Sequence, residues 1–241
     1  TTVGIYLRHV RAVYSEAVTQ GVVAKENYPF GRKKYVIPAG RNVKKALAQE
    51  DIENLKAYQA EPGSFEQRSL DLWLFSYYSN GMNLADVCRL RWRDLDLKAH
   101  TFHFVRTKSA RTKKENQTPV SGTLRTETLE IIERWGNRSR RADDFVFPFL
   151  LDEMDSRKQR ATVLQVTKVT NNWMKKIAKK LGIEVNLSSY HARHSFATAL
   201  LRSEVPVGFI SQKLGHASLK TTENYLGSFT DEQTRKYLEV L

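Results

Sequence analysis

The stretch that decides the fold runs from Ser188 to Phe229 and reads SSYHARHSFATALLRSEVPVGFISQKLGHASLKTTENYLGSF. Its local signals predict three short helices. Ser188 or Ser189 can cap the first, in which Phe196, Leu200 and Leu201 recur at helical spacing. Pro206 stands where a second helix can begin, and Val207, Ile210 and Leu214 form one face of it. Gly215 then occupies a position that favours a left-handed helix stop. Ser218 can cap a third helix carrying Leu219, Thr222, Tyr225 and Leu226. Arg193, His216 and Tyr225 therefore fall on separate short elements that can converge on one cleft.

Working outward, a long amphipathic helix is predicted from about Arg157 to Leu181, stopped by Gly182. Thr123–Trp135 reads as another amphipathic helix, followed by a charged loop and the apolar run Phe145–Phe149. Thr101–Arg106 alternates, with Phe102, Phe104 and Arg106 on one face and His103 and Val105 on the other. If that strand persists, Lys108 joins the face of Arg106. A polar, basic tip from Ser109 to Gln117 carries Arg111, Lys113 and Lys114, and a return strand is expected near Thr118–Val120. Upstream, Glu50–Ala60 and Ser64–Asn80 read as helices, with Ile52, Leu55, Phe65, Leu70, Trp73, Leu74 and Tyr77 as core. Leu84–Leu90 makes a short helix. Val3–Val22 is amphipathic through Ile5, Leu7, Val10, Tyr14 and Val18. Asn27–Gly40 has no periodicity and reads as a linker with the basic run Arg32, Lys33 and Lys34, suited to a DNA backbone. Thr230 can cap a last short helix to Leu241. The fold class is mainly α with a small β-hairpin or sheet, α+β in a loose sense.

Arg193 followed by His194, Leu214-Gly215-His216, Thr221-Thr222, and Tyr225 nine positions after His216 form an ordered set. Taken singly, each is an ordinary residue: a packed tyrosine, an ion-paired arginine, a satisfied histidine. As a set they resemble the C-terminal boxes of the tyrosine recombinase (phage integrase) family. The resemblance implies that family's catalytic-core fold and DNA strand cleavage through a 3′-phosphotyrosine. Tyr225 would be the nucleophile, and Arg193 would fork two phosphate oxygens. His216 would donate to the same phosphate or assist the phenol proton, and Lys108 would protonate the departing 5′ oxygen. Such a scheme requires neither a metal nor ATP. His191 and His194 are three apart, but no third ligand or carboxylate cluster accompanies them.

Two positions depart from the family pattern. Asn83 stands where the first box, Asn80-Gly81-Met82-Asn83, is expected to end in a second catalytic arginine. Asparagine carries no charge, so Arg106 is the expected replacement, with Arg91 and Arg93 behind it. Tyr190 stands where the family has a histidine, with His191 next to it. One helical step turns a side chain by about 100°, which favours Tyr190 in the pocket and His191 at its edge. On both departures the chain resembles integrases of Bacteroidetes mobile elements. They also keep open a weakly catalytic DNA-binding relic, and the wider core resemblance admits a type IB topoisomerase.

Composition agrees with a nucleic-acid partner. The 241 residues carry a formal net charge of +13, and each neutralised phosphate releases counterions. Cys88 is the sole cysteine, which excludes an intramolecular disulfide and a thiolate metal cage. No apolar run is long enough for a bilayer. The expectation is a cytoplasmic bacterial protein, nucleoid-associated when bound to DNA. The resemblance implies double-stranded attachment sites as substrate and a homotetramer on paired DNA, joined through the C-terminal helix. Accessory DNA-bending proteins are further candidate partners. It also divides the chain: residues 1–25 as the last helix of a core-binding domain, 26–40 as a basic strap, and 41–241 as the catalytic domain. The start at Thr1-Thr2, without an initiator Met, suggests a fragment of something longer.

Overall fold

The structure is a computed structural model that describes residues 2–38, 46–107, 119–216, 218–223, 226, 235, 238 and 239. Contacts divide the chain into two units, Thr1–Val43 and Lys44–Leu241.

The first unit is built on helix α1 (Thr2–Thr19). Gly21 (φ 71°) ends it, and the chain doubles back. The predicted linker is, as far as Tyr35, a turn packed on this helix. Phe30 meets Tyr14, Tyr28 and Tyr35 edge-on at centroid distances of 6.1, 5.7 and 6.4 Å. The Tyr28 hydroxyl lies 3.0 Å from Ser15 Oγ. Lys34 does not project: its amine donates to the carbonyls of Glu26 (2.6 Å) and Tyr28 (2.5 Å). Ile5 and Val10, expected on a packed face, are exposed.

The second unit is organised by α3 (Phe65–Tyr78). Ser64 caps it, its Oγ accepting from Gln67 N at 3.1 Å. Leu70, Leu72, Trp73, Leu74, Phe75 and Tyr77 are all buried, and so are Glu66, Ser69, Asp71 and Ser76, so this helix is covered nearly all round and sits inside the domain. Each large apolar side chain so buried contributes ~1.5–3 kcal/mol relative to exposure. Phe65, by contrast, is 58% exposed, with Arg68 stacked on its ring. Around α3 pack α5 (Thr126–Trp135), α6 (Ser156–Lys180) and α7 (Ser189–Arg202). Asp155 caps α6, accepting from Lys158 N at 2.7 Å, and Gly182 (φ 70°) terminates it. Helix α2 (Gln49–Ala57) buries Ile52 and Leu55, and α4 (Leu84–Val87) buries Leu84 and Val87.

The sheet has three antiparallel strands in the order β1 (Leu95–Asp96), β2 (Thr101–Phe104) and β3 (Val120–Thr123). The predicted hairpin thus gains a third strand, and the return strand extends beyond Val120 to Thr123. Phe102 pairs with Gly122 and Phe104 with Val120, so both phenyl rings face the core. Strand β2 stops at Phe104, before Arg106. Helix α8 (Val207–Lys213) lies on β3 and is followed by α9 (Leu219–Glu223). The expected terminal helix falls mostly outside the described residues. No described helix is long and apolar enough to cross a membrane.

Candidate active site

Helix α7 is fixed at its start by Trp73 Nε1, which donates to Ser188 O at 3.0 Å, and by Asn171 Oδ1, which accepts from Ser189 N at 2.8 Å. Ser195 Oγ accepts from Leu47 N at 3.0 Å nearly two turns later. Arg193 is thereby held inside the domain, only 3% exposed. Its Nη1 donates to Gly81 O at 2.9 Å, and its Nη2 donates to Leu214 O at 2.5 Å. The same Nη2 lies 3.0 Å from His216 Nε2.

Those acceptors require unusual backbone. Asn80 and Gly81 are both left-handed (φ 55° and 62°), and Asn80 Nδ2 donates to Ser121 O at 3.0 Å. A Cβ on Gly81 would lie 2.8 Å from Arg193 Cα, so only glycine lets this loop reach the arginine. Gly215 (φ 61°) closes α8 and presents His216, whose N–H donates to Ser211 O at 3.0 Å. A Cβ there would meet Val120 Cγ2 at 2.4 Å and Arg106 Cδ at 2.9 Å. His216 Nδ1 in turn lies 2.9 Å from Oγ1 of Thr222, which is fully buried.

Arg106 arrives from the sheet. Its Nη1 donates to Leu214 O at 3.2 Å and Gly215 O at 2.9 Å, the carbonyl end of α8, where a cation is favoured. It gets there not on a strand face, as the alternation predicts, but on the segment after β2. That segment is pinned by Asp86 of α4, whose Oδ1 accepts from Thr107 N at 3.0 Å. Asp86 is 5% exposed, and Thr107 immediately precedes Lys108.

Asn83 is extended (φ −67°, ψ 145°) at the start of α4, and its carbonyl accepts from Asp86 N and Val87 N. Tyr190 is 39% exposed and stands edge-on to His194 at 4.8 Å, one turn before Arg193. His191 is buried and occupied at the helix start: its Nδ1 lies 3.2 Å from Ser188 N and 3.0 Å from Ser188 Oγ.

The structure thus brings together Arg193, His216 and Arg106, with Tyr190 on the same helix. Lys108, Arg111, Lys113, Lys114 and Tyr225 lie outside the described residues. Leu226, next after Tyr225, is buried with Ala197, Leu201, Ile210 and Leu214. Arg32 and Lys33 are exposed in the first unit. Sequence reasoning did not find Gly81, Asp86 or Thr222 as partners of this cluster. For Asp86 a signal existed: a carboxylate inside an otherwise apolar short helix, three residues after Asn83. Also missed is a run of exposed cations along α6: Arg157, Lys158, Arg160, Lys168, Lys175 and Lys179.

Burial pushes the Cys88 thiol up to about 12, so it is not a nucleophile at neutral pH. Among the described residues no group of three His, Cys, Asp or Glu side chains is placed to hold a metal ion.

The profile of the phage integrase family matches residues 45–232, a span that contains every element of this cluster. The chain belongs to the phage integrase family. It is 29% identical over 170 residues to the tyrosine recombinase XerA of Pyrococcus horikoshii, covering 70% of this chain and 53% of that protein. It is 30% identical over 229 residues to the tyrosine recombinase XerC of Thermodesulfovibrio yellowstonii, covering 93% of this chain and 70% of that protein. The chain therefore spans little more than half of the XerA relative. Among solved structures, the Tn1549 transposon integrase in complex with transposon right end DNA superposes with a TM-score of 0.65 at 16% identity. That match covers 97% of this chain and 77% of the other. At such identity the likeness is one of fold, and the fold is that of an integrase catalytic core.

Proposed function

We propose that the protein is a site-specific DNA recombinase or integrase that cleaves and rejoins strands through a 3′-phosphotyrosine. The observation that carries this is the buried Arg193 guanidinium, held beside His216, with Arg106 on the same carbonyl. Phosphodiester attack builds negative charge on the phosphoryl oxygens, and fixed cations around that charge are the largest catalytic contribution a protein offers. In the proposed step the Tyr225 phenolic oxygen attacks phosphorus and the bond from phosphorus to the 5′ oxygen breaks. Lys108 gives that oxygen its proton, while His216 takes the phenol proton or donates to the phosphate. Return of a 5′ hydroxyl from another strand reverses the step, and the ester conserves the energy for rejoining.

Arg106 supplies the second cation that Asn83 cannot. Its bonds to Leu214 and Gly215 support this assignment, as does the lack of charge on Asn83. Tyr190 faces the phosphate side of α7 while His191 serves the cap. Arg32 and Lys33, the tip residues Arg111, Lys113 and Lys114, and the exposed cations of α6 meet the DNA backbone. Lys34 acts through the turn it holds. The first unit is the end of a core-binding domain and residues 41–241 the catalytic domain. The two departures, Asn83 and Tyr190, favour an integrase of Bacteroidetes mobile-element type. In this reading the protein works in the bacterial cytoplasm, on the nucleoid when bound, as a homotetramer on paired attachment sites joined through the C-terminal helix. Accessory DNA-bending proteins remain compatible partners.

Strand transfer tests the function. Two end-labelled duplexes bearing a site selected from a random-sequence library are incubated with the protein, without metal or ATP. Recombinant-length strands support a recombinase. Relaxation of a supercoiled plasmid without recombinants would move the assignment to a topoisomerase. Binding without either would leave a DNA-binding relic, which the uncharged Asn83 favours.

A further inference from the structure

We infer that Thr222 is a positioning residue: it fixes the imidazole of His216 in one tautomer and ties it to the segment that leads into Tyr225. The inference rests on the proposed site and deepens it. Arg193 Nη2 donates to Leu214 O at 2.5 Å and lies 3.0 Å from His216 Nε2. A guanidinium nitrogen only donates. His216 Nε2 must therefore present its lone pair to Arg193, and the ring proton resides on Nδ1. That proton points to Thr222 Oγ1, 2.9 Å away, and the hydroxyl accepts it.

Thr222 is suited to this by burial and by location. Its side chain is fully buried, so water does not compete for the threonine hydroxyl. It sits on α9, three residues before Tyr225 in sequence, and Leu226 just beyond is buried in the α7–α8 cluster. The hydroxyl thus links the segment carrying the nucleophile to the ring beside the phosphate-binding arginine. A histidine whose protonated nitrogen is fixed by a partner has its other nitrogen defined as the acceptor. Thr222 makes His216 Nε2 the acceptor nitrogen: its lone pair faces Arg193 here, and it is open to the phenol proton once Arg193 turns to the phosphate.

The test has two arms. In the protein labelled with 15N-histidine at mildly alkaline pH, multiple-bond 1H–15N correlation spectra report which ring nitrogen carries hydrogen. His216 is assigned by its loss in His216→Gln. The Nδ1–H tautomer is expected, and an Nε2–H tautomer overturns the inference. In single-turnover cleavage of a nicked duplex, Thr222→Val should slow adduct formation by at least about tenfold, part of what a positioned acid–base group provides. DNA affinity should stay as in the parent, and Thr222→Ser should recover most of the rate. Cleavage by a folded Thr222→Val at the parent rate overturns the inference. Should Thr222→Val not fold, the tautomer in the parent decides. If Tyr225→Phe cleaves as fast as the parent, the proposed site fails instead, and the spectra still judge Thr222 separately.

Discussion

Arg106 and Arg193 converge on one acceptor, the carbonyl oxygen of Leu214, at 3.2 and 2.5 Å. One comes from the segment after β2 and the other from α7, which are 87 positions apart in sequence. Two guanidinium groups repel each other, and the carbonyl end of α8 offsets that repulsion with its partial negative charge. A phosphate arriving here would meet both. This convergence supports the proposal that Arg106 stands in for the arginine absent at Asn83.

Arg106→Ala should therefore slow cleavage by about 100-fold, the usual cost of losing one preorganised charge donor. Arg106→Lys should recover part of the rate but not the bidentate geometry. Single-turnover adduct formation on a nicked site duplex measures it. Full cleavage by Arg106→Ala would return the role to Arg91 or Arg93.

Gly81→Ala should lower stability by at least ~1–2 kcal/mol from left-handed backbone strain, before the 2.8 Å approach to Arg193 Cα is added. Thermal unfolding reads this loss. Alanine at Gly208, where nothing lies within 4 Å, is the control and should be close to neutral.

Asp86→Ala leaves the half-buried Thr107 N–H without its acceptor, which should cost ~1 kcal/mol. Asp86→Asn keeps an oxygen in that place and should unfold close to the parent. Because Thr107 precedes Lys108, cleavage should fall in the alanine variant by more than DNA binding does. Equal losses in both would reduce Asp86 to a general fold contact.

Glu66 provides a pH signature away from the cluster. The hydrogen bond from Lys180 (2.6 Å), helped by Tyr58, holds its carboxyl below the usual range despite the opposing effect of burial. A folded-state pKa below the unfolded one gives stability that is complete above the unfolded value. It is lost as pH falls through the folded value. Glu66→Gln should therefore be less stable than the parent at neutral pH, and the two should converge at strongly acidic pH. Urea unfolding at both ends of that range measures the difference.

Much of the domain is legible because its signals are local. Ser64, Asp155 and Ser188 are caps, Gly182 and Gly215 are stops, and each ends a helix close to where the pattern places it. What was not legible depends on distant partners. Strand β1 is two residues long and exists only through pairing with Thr101 and Phe102. Phe65 fits the helical period but falls at the first helical position, where solvent and Arg68 cover it instead of core. The turn at residues 28–35 is held by ring edges and lysine bonds to carbonyls, which leave no periodic trace. Among the candidate site residues, Arg193, His216 and Tyr225 were visible as side-chain types at fixed spacing. The Gly81 and Leu214 carbonyls were invisible because any residue supplies one, and Thr222, although part of the ordered set, carried no sign of its bond to His216.

The most direct measurement is covalent trapping. The protein and its Tyr225→Phe variant are incubated with a phosphorothiolate-bridged duplex bearing the selected site, with chelator present, and protein–DNA adducts are resolved by denaturing electrophoresis. An adduct formed by the parent, absent in Tyr225→Phe and insensitive to chelator, is the predicted result. An adduct that persists in Tyr225→Phe, or none from a parent that binds the duplex fully, would contradict phosphotyrosine chemistry at this site.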